Sequence, residues 1–345
     1  MATLSSVIAD IAALSNSDKK TLRNYLISVF SVRSSSLEEY VKEERFSSGL
    51  VCPVCGCIHI VRNGHRKDGV QRYKCSDCGK SFVAMTNSIV SGTHKDLDTW
   101  EKYIDCIMNG FSVRKSANIC GIHRNTAFAW RHKILGALQN MAKAVVLDGI
   151  IEADETFFPL SYKGNHQKSK TFTMPRRAHK RGNATHIRGL SKEKVCVPCA
   201  VNRKGLSIAK ASNLARVATK DLHTVYDGRI NIGSVIVTDL MNSYTRFAKK
   251  NGYQLVQLKG GKAKKGIYHI QHINSYHSEL KRFMIRFNGV STKHLDNYLI
   301  WHNFVNYAPE SDVDKRSILL KFILTQNITI HVEDIAKKPL LPFVA

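Results

Sequence analysis

Apolar positions change their spacing three times along this chain of 345 residues. Leu22, Tyr25, Leu26 and Val29 recur on one helical face. Ser17 is placed to cap that run, and no Gly or Pro interrupts residues 1–47, which are predicted as a helical segment. Residues 48–86 lose the helical period. Ile58 to Tyr73 reads instead as a hairpin with its turn near Lys67-Asp68-Gly69. Helical spacing returns over 95–145, broken at Cys120-Gly121. From about Val146 short strands alternate with helices, so 147–327 is predicted as a mixed α/β domain; the tail, 328–345, is too short to assign.

The turn-rich segment carries the sharpest chemical signal. Cys52-Pro-Val-Cys55 and Cys75-Ser-Asp-Cys78 are two Cys-x-x-Cys knuckles, 75 − 55 = 20 positions apart, each followed by a glycine. Thiolates at this spacing close a four-sulfur zinc site, and a ribbon this small takes much of its folding free energy from the metal. Cys57, His59 and His65 lie close by, but two regular pairs leave them as bystanders. Cys196-Val-Pro-Cys199 resembles another knuckle. It lies within a predicted strand and has no partner pair, so it is read as structural, and Cys106 and Cys120 as buried thiols on helices.

Lys and Arg exceed Asp and Glu by 52 − 27 = 25. Such an excess implies a polyanionic partner, and nucleic acid is the usual one. No apolar run is long enough to span a bilayer, so a membrane is not expected. The N-terminus has no basic stretch before its apolar run and carries Asp10 within it, so no signal peptide is expected. The cysteines then belong in a reducing compartment, and a cytoplasmic, nucleoid-associated protein is predicted.

Within 112–135 the chain reads as a helix-turn-helix. Ala117 is small where two helices cross, Gly121 supplies the left-handed turn, Ile122 packs behind it and Trp130 anchors the second helix. His123, Arg124, Asn125 and Thr126 open the second helix, with Arg131 further along, and are expected to face DNA. A plain helical hairpin has the same turn; the ribbon and the charge favour the DNA-binding reading. From Pro159 to Lys192 the chain carries Lys163, Lys168, Lys170, Arg176, Arg177, Lys180, Arg181, Arg188 and Lys192 and no acid, as a basic loop for phosphate contact would. Arg176, Arg177, Lys180 and Arg181 are its expected DNA-binding residues. Lys259, Lys262, Lys264 and Lys265 form a smaller cluster.

Two aspartates sit in apolar strands: Asp154 in the middle of one, and Asp239 at the end of Ser234-Val-Ile-Val-Thr. A carboxylate there is costly unless a cation holds it, although Asp239 alone reads equally well as a helix cap. The order of elements decides between them. After the Asp154 strand come strands over Lys194–Asn202 and Leu206–Ala211, a helix near Thr219–Tyr226 and the Asp239 strand. A helix, a strand over Tyr253–Leu258 and a helix from about His272 follow. That is the ribonuclease H-like order, in which first and fourth strands are neighbours, so Asp154 and Asp239 are predicted side by side. On the last helix Asn274 and Lys281 are seven positions apart, two turns, and share a face with His277 and Ser278; Glu279 turns away. Glu152, on the same strand face as Asp154, and Glu155, on the opposite face, are read as surface or packing residues, with support of the Asp154 site as the alternative.

These residues resemble the DDE-type transposases of bacterial insertion sequences, in the branch with an N-terminal zinc ribbon called family fifteen-ninety-five. The resemblance runs from about Cys52 to Trp301. It is carried by Glu152-Ala-Asp154-Glu155-Thr156, Val237-Thr-Asp239 with Tyr244, and Ile273-Asn274-Ser-Tyr-His-Ser-Glu-Leu-Lys281-Arg282-Phe, with 274 − 239 = 35 positions between second and third sites. It implies a multidomain α+β protein of zinc ribbon, helix-turn-helix and ribonuclease H-like catalytic domain. By the same resemblance Asp154 and Asp239 bind the catalytic metal, Mg²⁺ or Mn²⁺. Asn274 stands where most relatives have Glu, and Lys281 is the basic residue two turns on. The implied activity is metal-dependent cleavage and transfer of DNA strands at terminal inverted repeats, by a homo-oligomer assembled on double-stranded end and target DNA. A non-catalytic DNA-binding regulator and a structure-specific nuclease are the alternatives. Intact Asp154 and Asp239 speak against the first, and strand joining separates the second.

Overall fold

The computed structural model describes residues 4–15, 17–19, 21–22, 34–164, 193–259, 264–308 and 310–341. Tyr25, Leu26 and Val29 lie outside the described residues. So do Lys168, Lys170, Arg176, Arg177, Lys180, Arg181, Arg188, Lys192 and Lys262. The chain forms two compact units, 1–101 and 102–345.

The first unit opens with helices α1 (Leu4–Ala13) and α2 (Ser34–Arg45). Between them a helical turn is capped by Ser15 and not by Ser17. The Ser15 hydroxyl accepts the Asp18 N–H at 3.1 Å and donates to the Asp18 carboxylate at 2.7 Å. A three-stranded antiparallel sheet follows, β1 (Ile60–His65), β2 (Gln71–Cys75) and β3 (Ser81–Phe82). The β1–β2 hairpin closes through Arg66 N–H to Val70 C=O at 2.9 Å, with Gly69 at φ +84° in the turn. Its small core is Tyr73 between Phe82 and Phe46, both rings 5.5 Å away, against Cys52 and Cys75.

After α3 (Leu97–Met108), the second unit continues with α4 (Val113–Ile119) and the 20-residue α5 (Arg124–Lys143). Ser112 caps α4, Gly121 takes φ +62° between the helices, and Ala117, Ile122 and Trp130 are buried at their crossing. A six-stranded sheet comes next: β4 (Ile150–Pro159), β5 (Lys194–Asn202), β6 (Ser207–Ala209), β7 (Asn213–Leu214), β8 (Val235–Thr238) and β9 (Gln254–Gln257). Its order is β6–β5–β4–β8–β9 with β7 on β5; β4 pairs antiparallel with β5 and parallel with β8, and β8 parallel with β9.

Helices α6 (Thr219–Tyr226) and α7 (Asn242–Asn251) are placed in the β7–β8 and β8–β9 connections. Leu222, Tyr226, Tyr244 and Phe247 from them share one core with Ile151, Ala153 and Ile236 of the sheet. Helix α8 (Gln271–Ile285) packs on β4 and β5. Helix α9 (Leu295–Tyr307) packs on β6, α8 and α5, and α10 (Asp312–Thr325) and α11 (Val332–Lys337) end the described chain. The α4–α5 pair is therefore built into the same unit as the sheet. Gln139 donates to Asn297 at 2.7 Å, and the Trp301 indole donates to Ile107 C=O at 2.9 Å. Among the described residues no helix is long and apolar enough to cross a membrane.

Candidate functional site

In the first unit the four knuckle sulfurs converge, every ligand atom within 4.8 Å of the others. Cys52 Sγ lies 3.8 Å from Cys78 Sγ, and Cys55 Sγ 3.6 Å from Cys75 Sγ. A tetrahedral zinc with Zn–S bonds near 2.3 Å has sulfurs about 3.8 Å apart. The four thiols thus fit a closed structural zinc site with no room for a substrate. His59 faces away from that role, at 3.2 Å from Asp77.

In the second unit the register of two strands places the aspartates. The parallel ladder pairs Glu152 with Val237, and two residues further on stand Asp154 in β4 and Asp239 just past the end of β8. Their charges interact. Burial first, then the Asp239 charge, push the Asp154 carboxyl up to about 6, against the pull of Lys281. Two carboxylates brought to one strand end offer oxygens of the kind a divalent cation takes. Asp239 also caps locally, accepting the Met241 N–H at 3.0 Å ahead of α7. The cap reading and the metal reading use the same residue.

Helix α8 crosses behind this pair. His277 Nδ1 lies 3.8 Å from Asp154 Oδ2, and burial with the nearby Lys281 charge holds the imidazole down to about 4, hence neutral. Asn274, one turn earlier, is exposed, as is Lys281 one turn later. Glu279 is tied elsewhere, accepting from the Tyr307 hydroxyl at 2.9 Å. Glu155 stands on the other face of β4. Burial, with the adjacent Asp154 charge, pushes its carboxyl up to about 8, so it is protonated at neutral pH.

Of the two places expected for Glu152, surface or packing, the structure has the second. Glu152 is 1 % exposed and is the anchor of α8. The N-cap position of helix α8 is Ile270, which gives it no side-chain cap. Glu152 Oε2 supplies one from the neighbouring strand, accepting the N–H groups of His272 at 2.8 Å and Ile273 at 3.1 Å. Oε1 receives Arg203 Nη2 at 3.0 Å and His272 Nδ1 at 2.8 Å. His269 completes a cluster with metal-ligand chemistry. The Arg203 guanidinium already fills its centre, with Nη1 2.9 Å from His269 Nε2 and 3.0 Å from His272 Nδ1. No sequence signal marks this anchor except the proximity of Glu152 to Asp154.

Arg131 departs from expectation. It is fully buried, donating to Phe111 C=O at 2.6 Å and to Ser116 Oγ at 3.2 Å, with its guanidinium 4.8 Å from the Trp301 ring. It ties α5 to the start of α4 and has no surface to offer DNA. His123 is the cap of α5, its Nδ1 accepting the Asn125 N–H at 3.3 Å. Arg124 and Asn125 are exposed beside it and Thr126 is half-buried. Cys196 and Cys199 are buried on β5, as expected of structural thiols. Cys106 is buried too, but Cys120 is partly exposed, just past the end of α4.

Comparison with known proteins adds the family. Residues 35–81 match the transposase zinc-ribbon domain, and residues 146–304 match the ISXO2-like transposase domain. Similar solved structures include the Mos1 strand transfer complex (10% identity, 64% of this chain and 74% of that chain, TM-score 0.27). Another is the Mos1 transposase paired-end complex with left transposon end (8% identity, 65% and 79%, TM-score 0.25). At these scores the family rests on the two domain matches and on the order in which they stand. With the ribbon first and the transposase domain behind it, the chain is a DNA transposase of insertion-sequence family fifteen-ninety-five.

Proposed function

We propose that this transposase binds the terminal inverted repeats of its element through the α4–α5 helix-turn-helix and cuts and joins DNA on a ribonuclease H-like domain. Asp154, Asp239 and Asn274 form its metal site. The observation that carries this reading is the β4–β8 register, which brings two carboxylates from residues 85 positions apart to one end of the sheet. When bound there, Mg²⁺ or Mn²⁺ supplies activation of the attacking hydroxyl and stabilisation of the leaving oxygen in an in-line displacement at phosphorus.

The protein side chains do the rest. Asp154 and Asp239 give charge and ligand oxygens, and Asn274 gives a neutral amide oxygen that coordinates or orients water but cannot take a proton. Lys281 stands on the same face as a point charge for a phosphate oxygen. Arg124, Asn125 and Thr126 open α5 toward the groove, while His123 shapes its cap. Arg176, Arg177, Lys180 and Arg181 are assigned non-specific phosphate contact on their charge alone. DNA-bound copies assemble as an oligomer that holds two ends, and the protein acts at the nucleoid in the cytoplasm.

The test is an end-cleavage and strand-transfer assay on a duplex carrying the repeat. Asp154→Asn and Asp239→Asn are expected to bind the end like the wild type and to lose both reactions by at least a thousandfold, which is about 4 kcal/mol of barrier. Full cleavage without joining by the wild type would instead mark a nuclease. Retained cleavage in either variant would mean that other carboxylates hold the metal.

A further inference from the structure

Helix α8 connects two different places. Its first turns carry Asn274 and bring His277 to 3.8 Å from Asp154, and its far end leads into Arg286 and the loop up to Ser291. That loop walls a cleft of about 1060 Å³, whose opposite wall is the start of α4 and α5. Arg114, Arg124, Arg286 and Lys293 line it, and no carboxylate does among the described residues. Phe128, 41% exposed, lies within it, its ring 4.4 Å from His132 and 5.8 Å from His294. Two further lining cations are already engaged. Arg131 is bonded inside the α4–α5 corner. Lys163 donates to the C=O groups of Phe287, Asn288 and Gly289 at 3.2, 3.0 and 2.7 Å, which braces the loop.

We propose that this cleft is a second DNA-contact surface, which holds the sugar-phosphate backbone of the transposon end between the recognised sequence and the phosphate that is cut. The proposal rests on the reading of α4–α5 and of the aspartate pair given above, and adds the residues that bridge them. Four cations with no carboxylate lining the cleft among the described residues call for a polyanion. A second copy of the chain, at a net charge of +25, is repelled from such a surface. DNA suits it further because Arg124 and Asn125, which face DNA in that reading, form part of the wall. Phe128 offers an apolar face to a sugar or base edge.

The helix also sets a distance. Arg286 follows Asn274 by twelve residues, about 18 Å along α8 at ~1.5 Å per residue. At ~3.4 Å per nucleotide step the cleft contacts lie about five phosphates from the cut.

The test uses the full chain with Arg286→Glu and Lys293→Glu combined, and the milder pair Arg286→Gln and Lys293→Gln as a control for folding. Binding to an end duplex and to a random duplex is measured by fluorescence anisotropy over a salt series, with ethylation interference on the end duplex. Both pairs are expected to weaken binding to both duplexes, the reversal by tenfold or more. The neutral pair should lower the magnitude of the log–log salt slope by about two. The ratio of end to random affinity should stay as in the wild type, and interference about five phosphates from the cut should disappear. Unchanged affinity and salt slope in both pairs would overturn the proposal. So would a change in self-association with DNA binding intact, which would mark a protein partner. Should the wild type bind neither duplex, the reading of α4–α5 falls first and independently of the cleft variants.

Discussion

Arg131 and Glu152 are charged, buried and far from any chain end, and each holds two elements in register. Removing one partner from such a set leaves the others desolvated and unpaired, and this dominates the cost. Arg131→Ala strands Phe111 C=O and opens a void beside Trp301, so it is expected to lower stability by about 3 kcal/mol. Chemical denaturation of wild type and variant checks this. A loss of DNA affinity with unchanged stability would return Arg131 to the DNA interface. Glu152 acts through α8 and not on the substrate. Glu152→Ala removes the acceptor for two helix N–H groups and the partner of Arg203, so Asn274 and Lys281 lose their fixed distance from Asp154. The cleavage rate should fall at least tenfold at saturating DNA with end affinity unchanged, and Glu152→Gln, which keeps one acceptor oxygen, should recover part of it. Equal rates for Gln and Ala would mean that the carboxylate merely fills space.

At the scale of elements, periodicity and chemistry were informative where the controlling contacts are local. The strand over Lys194–Asn202 and the helix over Thr219–Tyr226 fall where their patterns put them, because alternation and helical spacing are properties of consecutive residues. The cysteine knuckles were legible for the same reason. Glu152 was not, since its partner His272 is 120 positions away and only the sheet and α8 together make the contact. Arg131 was misplaced toward DNA because a basic residue on a predicted recognition helix reads as exposed until α9 brings Trp301 against it. Ser15 competes with Ser17 as a cap two positions apart, a choice that backbone geometry settles and composition does not. The ribbon yields a further prediction at this scale. Cys75→Ser breaks a closed four-thiolate set, so zinc content measured by plasma emission should drop from one ion per chain to well below it, while Mn²⁺ binding at the aspartate pair persists. Full zinc retention would transfer the site to Cys57 or His59.

Across the whole molecule, buried titratable groups set the pH response. Burial holds His132 down to about 2, His294 to about 3 and His302 to about 4, whereas an unfolded histidine titrates near 6.5. Between those values the unfolded chain binds protons that the folded chain refuses. The histidines' contribution to stability is thus complete above about pH 6.5 and is lost as the pH drops below it, by about 2 kcal/mol per histidine at pH 5. Glu155 and Asp154, both raised, pull the other way and offset part of the loss. His302, caged by the rings of Tyr276, Phe283 and Tyr307, is the cleanest test. His302→Phe should reduce the stability lost between pH 7 and pH 5 by about 2 kcal/mol relative to wild type in thermal unfolding; an unchanged loss would show that His302 is protonated in the fold. The proposed seat of the catalytic cation, between Asp154 and Asp239 at one end of the sheet, is open to Mn²⁺ titration followed by electron paramagnetic resonance. Wild type should take up Mn²⁺ at this site, Asp154→Asn and Asp239→Asn should each weaken uptake at least tenfold, and Asn274→Ala should weaken it less. Wild-type Mn²⁺ affinity in Asp239→Asn would mean that the cation is held elsewhere.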